Sequence, residues 1–516
     1  MPRRKRTSTP QRTMNAVATA TLPATPPTTS LPKCLIINPF HSGSHKHFID
    51  TLTTYLHKHA LTPPPMVYSL PGKKWHWRLL CSATHFAEIL PTTPSTFNNK
   101  QGTLFTTSLL NLADLVALRP DLSKRTKILY FHENQFEYPE SQGAIQQQQQ
   151  SVSPNLKSRA ASKQKWSEYG WAQIMSCLVA DRVLFNSNHN RATFLKGVQQ
   201  LIASIPTSSR PPSTVLDRIK SKSEILFYPI AVPQQLSSWS SSPLPSNSPL
   251  HVVWNHRWEY DKGPLELLTF MRRWAHQSKY TLILSIVGVQ YPDRPSVFDT
   301  IENEFWHNPQ SSSSLTLRHF GSIETVADYH QLLFNADVVL STAKHEFFGV
   351  AIAEGVMCGC VPLCPNALSY PELYPKSCLY NTENQMFKQI KSYTSNVERF
   401  RTTTALNVLK EINVEQYTMK CLGEKYVKVL GFGGGGGGGG SGGKSDGGSD
   451  GSGGGGTWPP SCAPSLWIEW LDFRFGGFWF ITFCSISLIF SLIFLKSQSK
   501  QAVNSTRVVQ TESFNF

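Results

Sequence analysis

The chain has little that would cross-link or ligate. Its ten cysteines among 516 residues stand singly, apart from Cys358, Cys360 and Cys364, and no C-x-x-C pair occurs. That pattern excludes a disulfide framework and fits a reducing compartment. The three clustered cysteines lack the spacing of zinc knuckles and have no histidine beside them, so they read as small apolar core residues rather than ligands. Acid is missing from the start of the chain. Arg3, Arg4, Lys5, Arg6 and Arg12 all precede the first acidic residue, Asp50, and no apolar stretch there is long enough for a secretory signal. Residues 1–31 therefore read as a disordered basic tail, with organelle targeting or nucleic-acid contact as alternatives. No distinctive nucleophile motif is present.

What remains is long, basic and alternating. A chain of this length holds two domains and a sizeable cleft. The formal net charge of +15 suits an anionic substrate or partner. From Cys34, short apolar runs such as "CLIINPFHSGSH", "KILYFHEN", "DRVLFNSN" and "EILFYPI" end in loops bearing Gly, His or Asn. Helix-like stretches, including His45 to His59 and Leu109 to Leu118, separate them. Such alternation predicts parallel sheets with helices on both faces.

Residues 32–236 form the expected N-terminal domain, interrupted by a flexible insertion at 140–165 around Gln146 to Gln150. A Ser/Pro-rich gap, Ser237 to Pro249, precedes a second alternating domain at 249–429. Two such domains leave a cleft at the carboxyl ends of their strands. A Gly-rich linker follows at 430–458. Within the segment 475–496, Gly476 to Leu495 gives twenty uncharged, mainly apolar residues, flanked by Arg474 and Lys496. As a helix it would reach about 30 Å, one hydrocarbon thickness, and predicts a C-terminal membrane span. The competing reading is that this tail lies outside the functional protein.

Chemistry concentrates in "STAKHEFFGVAIAEG", Ser341 to Gly355. A buried strand, a turn and a helix start are expected there, with Phe348, Gly349 and Val350 at the turn. Gly349 permits close backbone approach where free N–H groups attract a diphosphate. Glu346 and Glu354 flank that point. Like charge bars them from holding phosphate, so they fit hydroxyl recognition on a ribose and a sugar. Arg257 and Lys262, in one loop after "HVVWN", can neutralise a leaving diphosphate.

The order of Arg257, Lys262, Gly288, Gly321 and "HEFFGVAIAE" resembles the second domain of retaining, nucleotide-sugar-dependent glycosyltransferases of GT-B architecture, including their E-x7-E spacing. The resemblance implies diphosphate contact by Arg257 and Lys262, ribose contact by Glu354 and donor-sugar contact by Glu346. The strings "HSGSHK", "YSLPGKKWHWR", "SLLNLADLVALRPDL", "KILYFHENQFEYP", "QIMSCLVADRVLFNS" and "STAKHEFFGVA" are similar to the family that includes tRNA-queuosine mannosyltransferases.

That likeness implies two Rossmann-like domains and metal-independent, cofactor-free transfer of mannose from GDP-mannose to queuosine at the wobble position of tRNA of the tRNA-Asp type. It implies a cytoplasm-facing or nuclear setting and no protein partner. Within it, Gly43 and Ser44 contact donor phosphate or acceptor, or form an ordinary tight turn. His132 resembles a histidine facing the donor sugar, a core histidine being the alternative, and Glu133 and Asn134 line the same mouth as acceptor-binding residues. Lys73, Lys74, Trp75, His76, Trp77 and Arg78 interleave charge with aromatic surface and suit RNA, or else form a Trp-rich packing corner. Two other readings stay open: a membrane-tethered transferase acting on a lipid-linked acceptor, and a non-catalytic binding protein on the same fold.

Overall fold

The computed structural model describes residues 33–59, 63–91, 102–137, 156–231, 248–292 and 294–432, with backbone only for 156–166 and 311. The basic tail, the Gly-rich linker beyond residue 432 and the apolar segment 475–496 lie outside the described residues. Among those described, no helix is long and apolar enough to cross a membrane.

Two six-stranded parallel sheets form the frame. The first comprises β1 (Cys34–His41), β2 (Met66–Pro71), β3 (Thr103–Thr107), β4 (Thr126–Phe131), β5 (Arg182–Phe185) and β6 (Ser223–Ile225), in the order β2-β1-β3-β4-β5-β6. The second comprises β7 (Leu250–Trp254), β8 (Leu282–Val287), β9 (Leu315–Gly321), β10 (Val338–Leu340), β11 (Val361–Pro365) and β12 (Leu379–Tyr380), in the order β12-β11-β10-β7-β8-β9. Every residue of β3, β7 and β10 is buried. Helices cover both faces, as a parallel sheet requires. In each sheet the chain runs outward and then returns to the other side of its first strand, so order reverses between β1 and β3 and again between β7 and β10. A doubly wound sheet opens a ligand crevice at such points.

The helices relevant to the site are α1 (Gly43–Lys58), α2 (Trp75–Ile89), α3 (Leu112–Leu118), α4 (Leu156–Val179), α5 (Asn188–Ser204), α6 (Thr214–Lys220), α7 (Pro264–Gln277), α8 (Val326–Phe334), α9 (Val350–Met357) and α10 (Met419–Val429). Sequence chemistry sets several boundaries. Asn111 caps α3 by accepting from Asp114 N, Thr325 caps α8 likewise from Asp328 N, and Pro264 occupies the first turn of α7.

Three features depart from the sequence reading. Helix α4 begins at Leu156, so the insertion expected to be flexible through residue 165 ends earlier. Strands β2 and β3 emerge from "MVYSLP" and "TLFTT", whose Ser and Thr content hid them; a buried Thr is tolerated because its hydroxyl finds a carbonyl, as Thr106 does on Ile37 O at 2.9 Å. Helix α10, assigned by position to the second domain, packs on α1 of the first. Thr103 Oγ1 donates to Leu430 O at 2.9 Å and Tyr426 OH to Phe227 O at 2.8 Å. The clustered cysteines are fully buried in the core, and among the described residues no group of three His, Cys, Asp or Glu could hold a metal.

Gly263 joins the β7 loop to α7 at φ 69°, and a Cβ there would lie 2.0 Å from Thr342 O on the β10 loop. Both the positive φ and the backbone contact exclude a side chain. Gly263→Ala is expected to cost on the order of 2 kcal/mol or more. That corresponds to a thermal midpoint lowered by about 5 °C, and an unchanged midpoint in scanning calorimetry would contradict this packing.

Candidate active site

The carboxyl ends of β7 and β10 bring the predicted donor residues together. Lys262 is buried and its Nζ reaches Glu346 Oε2 at 3.3 Å, Asp261 Oδ2 at 3.1 Å and His345 O at 2.9 Å. Burial disfavours its charge, yet Glu346 and Asp261 raise its pKa above the ordinary lysine value. Burial likewise works against the Glu346 carboxylate, but the Lys262 ammonium, with His256 and His345, holds that carboxyl at about 2. Both groups stay ionised across the neutral range. Glu346 Oε1 also accepts from Phe347 N at 3.1 Å, which fixes the turn that leads into α9.

Gly349 caps α9 at φ 86°, and a Cβ there would meet the Tyr370 ring at 2.9 Å. No side chain caps this helix. Its first N–H groups therefore remain for an anion. Arg257 carries a side chain 46% exposed, with Nη1 3.1 Å from Glu259 Oε1. Phe348 is buried behind the turn and Val350 begins the helix.

One turn into α9, Glu354 Oε2 accepts from Tyr329 OH at 3.1 Å. Asn255 Nδ2 in turn donates to that tyrosine oxygen at 2.9 Å and to Ala351 O at 2.7 Å. Burial pushes the Glu354 carboxyl up to about 7, with the Tyr329 hydrogen bond opposing. The two acids eight positions apart are thus electrostatically unlike: one is permanently charged and the other titrates near neutrality.

The N-terminal wall faces this loop through Tyr228, whose ring lies 5.9 Å from Phe348 and 6.0 Å from His132 between centroids. Its hydroxyl donates to Ser44 O at 2.9 Å, and His47 Nδ1 lies 3.0 Å from the same oxygen. Gly43 and Ser44 are exposed at the start of α1, and nothing stands within 4 Å of where a Gly43 Cβ would be. His132 follows β4 and is buried, its ring 4.1 Å from His45. Burial, then the neighbouring His45, lowers its pKa well below the ordinary value, so it is neutral. Glu133 accepts from His45 Nε2 at 3.1 Å.

Asn134 spends its amide inside the fold. It donates to Asn190 Oδ1 at 2.9 Å and Thr193 Oγ1 at 3.0 Å and accepts from Phe136 N at 3.0 Å. It holds the turn rather than the mouth. The basic-aromatic segment abuts the β1 loop, since a Cβ on Gly72 would strike Ser42 Cβ at 2.0 Å. Lys73 and Lys74 are exposed and Trp77 is 58% exposed. Trp75 packs edge-on against Tyr169 of α4, and Arg78 Nη2 donates to Pro71 O at 3.1 Å. The segment is thus a packing corner on one side and an accessible surface on the other.

Sequence reasoning missed His45, Tyr228, Tyr329 and Asn255. His45 lay within a quoted string, but its partner is 88 positions away. It also missed a direct latch between the domains. Ser187, the N-cap of α5, donates from Oγ to Phe347 O at 2.6 Å. The Glu372 carboxylate accepts from Asn188 N at 2.9 Å, from Asn188 Nδ2 at 2.7 Å and from His189 N at 3.3 Å.

Two parallel-sheet domains, with an uncapped helix start and paired acids at the second switch point, have the architecture of GT-B glycosyltransferases. The chain superimposes on the N-terminal domain of a Candida albicans trehalose-6-phosphate phosphatase at TM-score 0.51, with 12% identity, covering 78% of this chain and 97% of that one. It matches a UDP-forming alpha,alpha-trehalose-phosphate synthase from Burkholderia vietnamiensis at TM-score 0.51, with 8% identity and the same coverage. These likenesses concern the fold. In sequence, residues 33–230 match the family described as tRNA-queuosine alpha-mannosyltransferase N-terminal. A Drosophila melanogaster tRNA-queuosine alpha-mannosyltransferase is 34% identical over 403 residues, spanning 77% of this chain and 96% of the relative. The chain belongs to the tRNA-queuosine alpha-mannosyltransferase family.

The Glu354 carboxyl, ordinarily near 4.5, sits at about 7 in the fold. Stability tied to the neutral form is therefore lost as pH rises from about 4.5 to about 7, where the unfolded chain ionises first, and changes no further above that range. A carboxylate accepts from both hydroxyls of a ribose, whereas the neutral acid does so less well. Nucleotide-sugar affinity measured by calorimetry should rise about threefold to tenfold from pH 6 to pH 8. The dependence should flatten in Glu354→Gln. A flat wild-type profile would exclude this role.

Proposed function

We propose that this protein transfers mannose from GDP-mannose to the cyclopentenediol of queuosine at the wobble position of tRNA, of the tRNA-Asp type, with retention of configuration. The observation that carries the reading is the intact Arg257, Lys262, Glu346 and Glu354 constellation in a chain 34% identical, across both domains, to a tRNA-queuosine alpha-mannosyltransferase. An alpha product from an alpha-linked donor implies retention. The free thiols and the RNA substrate fit a cytoplasmic setting.

In this mechanism the donor diphosphate rests on the start of α9 and against Arg257 and Lys262. Glu354 accepts from the ribose and Glu346 from a mannose hydroxyl. The bond from C1 to the diphosphate oxygen breaks, and its electron pair leaves with GDP. The acceptor oxygen bonds to C1 on the same face, while its proton passes to the departing phosphate oxygen. Neutral His132, beside Tyr228, offers an uncharged imidazole to the sugar. Preorganised cations and N–H groups at the leaving group are the dominant catalytic contribution. No metal or organic cofactor is assigned a step.

Incubation with GDP-mannose and queuosine-containing tRNA should give a mannosyl-queuosine nucleoside detectable by mass spectrometry and lost on omission of either substrate. Label from the donor that enters a lipid fraction and resists RNase would overturn the acceptor in favour of a lipid-linked one. Absence of any donor binding would favour a non-catalytic protein. Arg257→Ala, which leaves the buried Lys262 pair in place, should lower turnover roughly a hundredfold. Near-normal turnover in that variant would remove Arg257 from the leaving-group site.

A further inference from the structure

The His45–Glu133 pair has no task in donor chemistry. The two residues come from different loops at the carboxyl end of the first sheet, His45 from the first turn of α1 and Glu133 from the loop after β4. His45 is 6% exposed, and its Nε2 donates to Glu133 Oε2 at 3.1 Å. The carboxylate is partly open, with 16% of its side chain exposed. Its second oxygen has no hydrogen-bond donor among the described residues. Ser108 Oγ donates to Glu133 O at 2.9 Å, so the backbone beneath the carboxylate is held as well.

Two buried imidazole nitrogens, His45 Nδ1 and His132 Nε2, also lack a partner on this wall. Each such atom carries a desolvation cost that no hydrogen bond offsets. Packing alone gives no reason to keep them together.

Charge decides which ligand suits this wall. A diphosphate is drawn to Lys262, Arg257 and the start of α9 in the other domain and is repelled by a carboxylate. A carboxylate held by one oxygen, with the other open, is a preorganised acceptor for a neutral hydroxyl. Tyr228 and Phe348 connect this wall to the Glu346 loop, which sets the pair across the cleft from the donor sugar.

We propose that Glu133, oriented by His45, is the subsite that binds a hydroxyl of the acceptor's vicinal diol and sets the second hydroxyl toward the donor C1. This assignment rests on the acceptor reading given above. Glu133 touches substrate in it, while His45 is a positioning residue acting through the carboxylate. Neither takes the transferred proton.

The test is steady-state kinetics of Glu133→Gln and His45→Asn with GDP-mannose and queuosine-containing tRNA. It is accompanied by calorimetric titration with GDP and by the slow hydrolysis of GDP-mannose without acceptor. The expected result is an acceptor KM raised at least tenfold in Glu133→Gln and by a smaller factor in His45→Asn. GDP affinity, donor KM and donor hydrolysis should stay within twofold of wild type. Unaltered acceptor KM with normal GDP binding overturns the subsite alone. A donor KM raised as much as the acceptor KM, or lost GDP binding in both variants, overturns it in favour of a donor or packing role. Wild-type protein that binds and hydrolyses GDP-mannose but transfers nothing to queuosine-containing tRNA overturns the acceptor reading, and this subsite with it.

Discussion

The buried contact between Lys262 and Glu346 is the interaction on which the cleft depends. It joins the two loops that leave β7 and β10, the strands between which the second sheet reverses its order. Buried ion pairs are poor sources of net stability, because desolvation offsets most of the attraction. What this one supplies is placement of charge. Lys262 shares its ammonium among Glu346, Asp261 and the His345 carbonyl, and Glu346 answers with one oxygen on Lys262 and the other on the turn N–H groups. The turn so held contains Phe348 and Gly349, and α9 starts from it. Moving any member would move the start of α9.

The same turn is where the two domains meet. Ser187 caps α5 with its oxygen as acceptor and also donates to the Phe347 carbonyl, so one hydroxyl serves helix and interface. Glu372 occupies the start of α5, where free N–H groups and the helix dipole favour an anion. With α10 returning to α1, the first domain is held both at the cleft and behind it. Sliding the domains would therefore pull on the segment carrying Glu346, coupling cleft geometry to donor contacts without any residue between them changing.

Much of this was legible in sequence because short-range pattern carries it. Strand, turn and helix in "ADVVLSTAKHEFFGVAIAEG" are local, and the eight-residue spacing of the acids places both around one helix start. Alternation likewise gave two parallel sheets, and Gly349 gave the close approach. Long-range pairing was not legible. Nothing in "HSGSHK" says that His45 meets Glu133, and nothing in "FYPI" says that Tyr228 reaches Ser44 O. The distinction between Glu346 and Glu354 was also hidden, since their spacing treats them alike. Lysine contact holds one near 2, while burial beside a neutral tyrosine hydroxyl lifts the other to about 7. Asn134 shows the converse error: a polar residue after a strand reads as site-lining, but its amide is consumed by Asn190 and Thr193.

The two walls of the cleft divide recognition by charge. The second domain offers cations and uncapped N–H groups, which suit a diphosphate and are largely indifferent to what the sugar will be attached to. The first offers a carboxylate, the neutral His132 imidazole and a tyrosine, all suited to hydroxyls rather than phosphate. Beside that wall, against Ser42, stands the exposed Lys73, Lys74 and Trp77 surface, whose chemistry fits the stacked bases and phosphates of RNA outside the cleft. Donor chemistry can therefore be written in a short motif of one domain. Acceptor choice instead requires an assembled surface from several loops of the other, which is why sequence identity extending across both domains bears on the acceptor while an E-x7-E match alone does not.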